Sequence, residues 1–185
     1  MSTAKQFGRF TLILGPMGAG KSSYLLREID RYAAVDCMAL AINHEADTRS
    51  GSAGCIATHS GDARPAVALG TLESAMCLAD YSNSTLIVIN EAQFFPDPEQ
   101  IRLFLRDGKD VVAASLAGDT DGRPIGCSSA LVPMADKIVH LTALCKYCTR
   151  DAPFTARKDS GKACVDIGGM STYTPVCRIH WEAGK

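Results

Sequence analysis

The fold of this chain is decided by the stretch Gly15-Pro16-Met17-Gly18-Ala19-Gly20-Lys21-Ser22, which matches the pattern G-x-x-x-x-G-K-[S/T]. Its glycines let the backbone bend so that successive N–H groups point inward, Lys21 can reach the outer phosphates of a nucleotide, and Ser22 can bind Mg²⁺. The apolar run Phe10 to Leu14 predicts a strand before it, and apolar residues at helical spacing from Leu25 to Ala33 predict a helix after it. This context indicates a phosphate-binding loop. Its candidate nucleotide-binding residues are Gly15, Met17, Gly18, Gly20, Lys21 and Ser22.

The composition is that of an ordinary globular chain. With 185 residues and 46 % hydrophobic content, it can bury a core and form one domain plus a small appendage. We expect a cytoplasmic protein without a membrane partner, because no apolar stretch follows the polar start that is long enough for a signal peptide or a membrane span. The net charge of −1 provides no global attraction to nucleic acid.

Eight cysteines could form a disulfide framework, but the chain is long and lacks secretory features, so reduced thiols are expected. Four of them lie among apolar neighbours, where a free cysteine acts as a small hydrophobic residue. We interpret these four as core or incidental residues: Cys37, Cys55, Cys77 and Cys127.

Strands and helices alternate along the rest of the first 143 residues. Further strands are predicted at Cys37–Ile42, Thr85–Ile89, Val111–Leu116 and Lys137–Leu141, and helices at Thr71–Ala79 and Glu99–Arg106. This alternation predicts a parallel, right-handed α/β sheet with ligands at the carboxyl ends of its strands.

The polar segment from Asn43 to Pro65 has almost no periodicity and is predicted to be a long loop. Because long loops in compact domains are often functional, we expect Asp47-Thr48-Arg49 to close over bound phosphates. The alternative is a disordered surface excursion.

The C-terminal part of the chain contains C-x₂-C at Cys145 and Cys148, and C-x₂-H at Cys177 and His180. Together they provide four ligands suited to tetrahedral Zn²⁺. Four protein ligands leave no position for water, which indicates a structural site. The span between the two pairs exceeds the usual zinc-ribbon spacing, so the metal would hold the base of a long loop.

Two polar residues follow the strand that is predicted to end at Ile89. Glu91 stands where a carboxylate can accept the proton of an attacking hydroxyl in phosphoryl transfer, which makes it the candidate catalytic base. Asn90 occupies a position where nucleotide-binding enzymes with this loop commonly carry an Asp that holds the magnesium shell. An amide can hydrogen-bond a metal-bound water but carries no charge.

With these residues in view, the chain resembles the type II thymidine kinase family from about Arg9 to Trp181. The resemblance is carried by an ordered series of motifs. They are Ile13-Leu14-Gly15-Pro16-Met17 with Gly20-Lys21-Ser22, Asp47-Thr48-Arg49, Thr58-His59, Glu91-Ala92-Gln93-Phe94-Phe95, Leu131-Val132-Pro133, Cys145 with Cys148, Gly168-Gly169, Tyr173 and Val176-Cys177-Arg178.

The resemblance implies a kinase that uses ATP and Mg²⁺ to phosphorylate the 5′-hydroxyl of thymidine, tolerates deoxyuridine and forms a homotetramer. It implies a RecA-like phosphate-loop domain over residues 1–143 and a zinc-binding domain with a substrate lasso over residues 144–185. Glu91 matches the family's base, Arg49 its charge-stabilising arginine, and Asp47 and Asn90 belong to the nucleotide site. The substrate site is expected to use Met17, Phe94, Leu116, Thr120, Thr155, Gly168 and Tyr173, with lasso backbone groups reading the thymine edge.

Three departures from the family pattern support an alternative function. Asn90 replaces the family's Asp, and Thr120 and Ile125 stand where the family generally has Phe. Two aromatic walls are therefore lost, which weakens base binding by about 0.5 to 1.5 kcal/mol for a stacked ring. The alternative is a nucleotide-binding relative with impaired catalysis or an altered pyrimidine preference.

A third hypothesis is an ATPase whose zinc unit binds nucleic acid. It would use the basic residues around the metal, which are Lys146, Arg150, Arg157, Lys158, Lys162 and Arg178. The neutral overall charge and the lack of a stacking motif favour no nucleic-acid partner.

Overall fold

The structure is a computed structural model that describes residues 6–47, 54–158 and 172–184. The strands are β1 (Phe10–Gly15), β2 (Ala39–His44), β3 (Cys55–Ala57), β4 (Ala63–Pro65), β5 (Val67–Leu69), β6 (Leu86–Ile89), β7 (Asp110–Leu116), β8 (Lys137–His140), β9 (Ala143–Leu144), β10 (Asp151–Ala152), β11 (Phe154–Arg157) and β12 (Tyr173–Val176). The α-helices are α1 (Lys21–Ala33), α2 (Ala79–Asn83), α3 (Ile101–Arg106), α4 (Ser128–Leu131) and α5 (Arg178–Glu182). Short 3₁₀ helices cover Glu73–Cys77, Ala92–Phe94, Pro98–Gln100 and Val132–Met134. In the described ranges, no helix combines the length and the apolar character needed to cross a membrane.

Six strands form one sheet in the order β5-β2-β6-β7-β1-β8, and every neighbouring pair is parallel. Successive side chains of each strand point to opposite faces. Leu12 and Ile87 therefore pack on one face with Phe104 of α3, whereas Ile13 and Val88 pack on the other face with Leu25 of α1. The predicted α/β class with a parallel sheet is confirmed.

The segment after β2 differs from the prediction. Residues 55–65 form an antiparallel pair, β3 with β4, in which Ile56 lies opposite Arg64, and β5 then joins the sheet edge. Each of these strands has three residues, which is too short for a period of two to be visible in the sequence. The expectation of a loop from Asn43 to Pro65 is therefore wrong for its second half, and also for its first two residues, which belong to β2.

Two predicted boundaries also move. β2 begins at Ala39 rather than Cys37, since Asp36 takes a left-handed conformation with φ of 57° that turns the chain after α1. The helix predicted at Thr71–Ala79 is a 3₁₀ turn at Glu73–Cys77 followed by α2, because Leu78 between them is extended. The strands predicted from Val111 and Lys137 and the helix ending at Arg106 are confirmed.

The C-terminal part of the chain contacts the phosphate-binding loop and the segment that follows β7. It consists of the pairs β9–β10 and β11–β12 with α5. The amide of Met17 donates to Oγ1 of Thr155 at 3.1 Å, and the indole Nε1 of Trp181 donates to the carbonyl of Thr120 at 2.9 Å. Trp181 also stacks on Phe154 with 4.6 Å between ring centroids. These contacts fix the unit against the phosphate-binding loop and against the segment that follows β7.

A buried cation joins α2 to β7. Lys109 is 6 % exposed, and its Nζ donates to the carbonyls of Tyr81 and Ser84 at 2.5 and 2.7 Å. The same ammonium group lies 4.4 Å from the ring centroid of Tyr81. Burial lowers the pKa of Lys109, which nearby Asp107 partly opposes. The lysine therefore caps the C-terminal end of α2 through charge-assisted hydrogen bonds.

We expect Lys109→Met to lower the free energy of unfolding by about 1–3 kcal/mol, because it leaves two inward-facing carbonyls without their donor. Urea denaturation followed by circular dichroism measures the change. The matched control is Lys137→Met on the exposed surface of β8, which we expect to change stability by less than about 0.5 kcal/mol. Equal effects at the two sites would contradict the capping role of Lys109.

Candidate active site

A cavity of about 530 Å³ lies at the carboxyl ends of β1, β2, β6 and β7. Most of the predicted nucleotide-site residues come together in its wall, as does Leu116. The lining consists of Met17, Gly18, Ala19, Gly20, Lys21, Ser22, Ser23, Asp47, Ala57, Thr58, His59, Asn90, Glu91 and Leu116. Strand ends of a parallel sheet are the expected place for a ligand.

The phosphate-binding loop has the backbone its glycines predict. Gly18 and Gly20 have φ values of 76° and 80°, a left-handed region that favours glycine. The first hydrogen bond of α1 runs from the amide of Tyr24 to the carbonyl of Gly20 at 3.0 Å, so the preceding turn is the open, positive end of the helix. An anion fits this concave surface, since backbone amides and the helix dipole both favour negative charge.

Lys21 bends back over this loop. Its Nζ donates to the carbonyls of Gly15 and Pro16 at 3.1 and 2.8 Å. These bonds hold the ammonium group inside the loop, next to the concave surface of amides. Lys21 thus contributes a positive charge to the cavity wall, and Ser22 contributes a hydroxyl oxygen that can bind a metal ion.

Glu91 lies just after β6, is buried, and belongs to the cavity lining. It adopts a left-handed conformation, with φ of 52° and ψ of 43°, which is uncommon for a residue other than glycine, asparagine or aspartate. This turn separates β6 from the 3₁₀ helix at Ala92–Phe94. Its carboxylate accepts a hydrogen bond from Nε2 of Gln93 at 2.6 Å.

Three buried polar side chains form a chain of hydrogen bonds beside Glu91. Nδ2 of Asn90 donates to Oδ1 of Asn43 at 3.1 Å, and Nδ2 of Asn43 donates to Oδ2 of Asp47 at 3.3 Å. Asn43 Oδ1 also accepts from the amide of His44 at 3.1 Å, and Nδ2 also donates to the carbonyl of Cys55 at 3.3 Å. A backbone amide can only donate and a backbone carbonyl can only accept. These two partners therefore fix which atom of the Asn43 amide is oxygen, and that oxygen faces Asn90.

The second predicted site is assembled as well. Cys145 follows β9, Cys148 lies in the next turn, and Cys177 and His180 come from the start of α5. Their ligand atoms all lie within 4.8 Å of one another. The Sγ atoms of Cys148 and Cys177 are 3.6 Å apart, close to the edge of about 3.8 Å for a tetrahedron with Zn–S bonds near 2.3 Å. Three thiols and one imidazole of this spacing are compatible with structural zinc.

The sequence profile of the family described as Thymidine kinase matches residues 8–181. The chain belongs to the thymidine kinase family. It is 37 % identical over 183 residues to the cytosolic thymidine kinase of Homo sapiens, covering 96 % of this chain and 75 % of that one. It is 38 % identical over 184 residues to the thymidine kinase of Oryza sativa subsp. japonica, covering 96 % and 68 %. It is 34 % identical over 173 residues to the thymidine kinase of Yaba monkey tumor virus (strain VR587), covering 93 % of each. The resemblance found in the sequence is confirmed.

Four further residues that are predicted for the substrate of this thymidine kinase family member are described by the structure but do not belong to the cavity lining. Phe94 is half-buried next to His44, with 5.8 Å between ring centroids, and Tyr173 is buried on β12. Thr155 and Thr120 are the contact points of the C-terminal unit with the phosphate-binding loop and with the segment after β7. Arg49 and Gly168 lie outside the described residues.

Sequence reasoning missed several residues that the structure brings to the site. Asn43 follows an apolar run near the carboxyl end of β2, a position that favours ligand contact, whereas the sequence pattern predicts a loop from this residue onward. In the sequence, Gln93 stands out only as part of the motif Glu91-Ala92-Gln93-Phe94-Phe95. The β3–β4 hairpin adds Ala57, Thr58 and His59 to the cavity wall. Burial lowers the pKa of His44 beside this wall, so its imidazole is neutral at pH 7.

We expect Asn90→Asp to lower the free energy of unfolding at pH 7 by about 1–3 kcal/mol, since a carboxylate would face Oδ1 of Asn43. This contact raises the pKa of the new carboxyl in the folded state. The deficit is therefore present above that pKa and disappears as the pH falls below the unfolded value of about 3.9.

Thermal unfolding between pH 3 and pH 8 tests this expectation. The control is Asn83→Asp, the same change at an exposed residue at the end of α2. An Asn90→Asp variant that matches or exceeds the parent's melting temperature at pH 7 would show that Asn43 does not hold its amide as described.

We expect the purified protein to carry about one zinc ion per chain, because the four ligands form a closed site. Cys148→Ser should lose that zinc and lower the melting temperature by more than about 5 °C, since zinc binding contributes directly to folding. Elemental analysis and calorimetry measure the two effects. Cys77→Ser removes an exposed thiol and is expected to change neither.

Proposed function

We propose that this protein is an ATP-dependent thymidine kinase, which transfers the γ-phosphoryl group of ATP to the 5′-hydroxyl of thymidine and also accepts deoxyuridine. The observation that carries the proposal is one cavity that joins the phosphate-binding loop to Glu91, in a chain that belongs to the thymidine kinase family. Family membership favours this function over a relative with impaired catalysis.

The phosphate-binding loop holds the triphosphate in this proposal. The amides of the loop and of the first turn of α1 bind its oxygens, and Lys21 exchanges the carbonyls of Gly15 and Pro16 for the outer phosphates. A Mg²⁺ ion at this site would supply positive charge that neutralises the charge developing on the phosphate oxygens. Ser22 is the residue that would hold it directly, with Asp47 and Asn90 acting through bound waters.

Glu91 acts as the general base. It accepts the proton of the 5′-hydroxyl as the new O–P bond forms and the bond to the leaving ADP breaks. Its burial beside the loop keeps the carboxylate close to the end of the triphosphate. Arg49, predicted to stabilise charge on the transferred group, stays a prediction because it lies outside the described residues.

The nucleoside is proposed to lie between the cavity and the C-terminal unit. Met17, Phe94 and Leu116 provide apolar surface for a flat, neutral base. Thr120, Thr155, Gly168 and Tyr173 stay predictions for the same site. The amide of Lys158 donates to the carbonyl of Thr172 at 2.9 Å, next to the ends of β11 and β12.

The zinc site has a structural role in this proposal, because its four ligands leave no position for a reactive water. It joins the turn between β9 and β10 to the start of α5. The division into domains 1–143 and 144–185, the homotetramer and the cytoplasmic location stay predictions.

The decisive experiment is a product assay with thymidine, deoxyuridine or deoxycytidine as acceptor, ATP as donor and Mg²⁺ titrated over a wide range. We expect thymidine monophosphate at ordinary Mg²⁺ concentration. Glu91→Gln should lower kcat by about 10²- to 10⁴-fold, the range of general base catalysis, and leave nucleotide binding nearly unchanged.

Glu99→Gln is the matched control, since it makes the same change at an exposed residue and should retain full activity. Failure to form a monophosphate from any of the three nucleosides would refute the proposed function. Full activity of Glu91→Gln would refute the role of that residue but not the function.

A further inference from the structure

Gln93 is a buried amide beside the cavity with partners on both sides. It is 1 % exposed, and both polar atoms of its side chain make hydrogen bonds. Nε2 donates to Oε2 of Glu91 at 2.6 Å, and Oε1 accepts from the backbone amide of Leu116 at 3.2 Å. A backbone N–H can only donate, so it fixes which end of the amide is oxygen and directs the NH₂ group to Glu91.

The contact between Glu91 and Gln93 depends on an unusual backbone conformation. Side chains two residues apart point in different directions on a regular helix. Here the left-handed φ of 52° at Glu91 turns the chain before the 3₁₀ helix at Ala92–Phe94, and the two side chains meet. A non-glycine residue in this region is strained, so the surrounding contacts must hold it in place.

The backbone of Gln93 supplies such contacts. Its carbonyl accepts a hydrogen bond from the amide of Cys127 at 3.1 Å. Gly126 approaches so closely, with φ of 49°, that a Cβ atom there would lie 1.9 Å from the same carbonyl oxygen. The segment that leaves β7 at Leu116 and returns at Cys127 is therefore attached to Gln93 at both ends.

We propose that Gln93 is a positioning residue for the catalytic base: it holds the Glu91 carboxylate in the cavity wall and links it to the segment 117–126. The inference rests on the proposed function, because it assigns Gln93 a role in the proton transfer made by Glu91. A short hydrogen bond to a carboxylate is charge-assisted, and it restricts rotation of the group without occupying all of its acceptor positions. Glu91 thus meets the hydroxyl in one orientation.

This role differs from a purely structural one in a measurable way. A residue that acts through Glu91 should affect the chemical step and not the binding of either substrate. Its effect should also disappear when Glu91 is absent, because coupled residues are not additive. A residue needed only for packing would lower activity by the same factor in both backgrounds.

The test is a double-mutant cycle in the full-length protein with Gln93→Met and Glu91→Ala. We expect Gln93→Met alone to lower kcat by about 10- to 100-fold, the cost of a misplaced catalytic group, with KM for thymidine and ATP within about twofold. In the Glu91→Ala background the same change should alter kcat by less than about threefold. Gln100→Met, the same replacement at a half-buried glutamine outside the cavity lining, is the control and should retain parental kinetics.

Two further measurements distinguish the role of Gln93 from a folding defect and from a failure of the proposed function. Gln93→Glu keeps the side-chain shape but places a second buried carboxyl group against Glu91, so that the two groups share a proton. It should lower kcat because Glu91 is then less available as a base, and it covers the case in which Gln93→Met does not fold. In ¹⁵N-labelled protein without substrate, Glu91→Ala should shift the side-chain amide resonances of Gln93.

The inference is overturned by equal effects of Gln93→Met in both backgrounds, by parental kcat in Gln93→Glu, or by resonances that do not respond to Glu91→Ala. The proposed function fails instead if the parent protein forms no thymidine monophosphate. In that case the resonances still decide whether Gln93 holds Glu91.

Discussion

The candidate site depends on the register of the parallel sheet. Ile42 of β2 lies opposite Ile89 of β6, which lies opposite Ala113 of β7, and the amide of Asn90 continues the ladder by donating to the carbonyl of Ile42 at 2.9 Å. A slip by one residue would turn every side chain to the other face. The apolar packing on both faces prevents such a slip and so holds the polar residues after each strand at one level.

The register has its clearest consequence at the end of β6, where buried polar residues follow buried apolar ones. Its four residues are buried, and the next two, Asn90 and Glu91, are polar and also buried. Buried polar groups need partners. Asn90 finds Asn43 on the neighbouring strand and Glu91 finds Gln93 on the following turn, so hydrogen bonds determine the orientation of the site. The side-chain amide of Asn90 is thus paired with the side-chain amide of Asn43, which provides the acceptor for it.

The sequence predicted the sheet class, the phosphate-binding loop and the metal-ligand cluster, because each rests on a local pattern: a period, a glycine spacing, a cysteine spacing. It did not predict the β3–β4 hairpin, whose strands are too short to have a readable period. The links made by Asn43, Gln93 and Trp181 could not be predicted either. Each joins positions whose closeness depends on strand order, on a left-handed residue, or on the packing of the C-terminal unit.

Lys21 illustrates how the phosphate-binding loop is prepared for a ligand. Its ammonium group already has two carbonyl partners, so in the proposed nucleotide complex it would exchange dipolar oxygens for charged ones. Dissolved salt screens the attraction between the lysine and a triphosphate but acts weakly on short contacts within the loop. Rising ionic strength should therefore weaken nucleotide binding while the loop keeps its shape. The salt concentration then decides how often Lys21 contacts the loop carbonyls and how often it contacts the nucleotide.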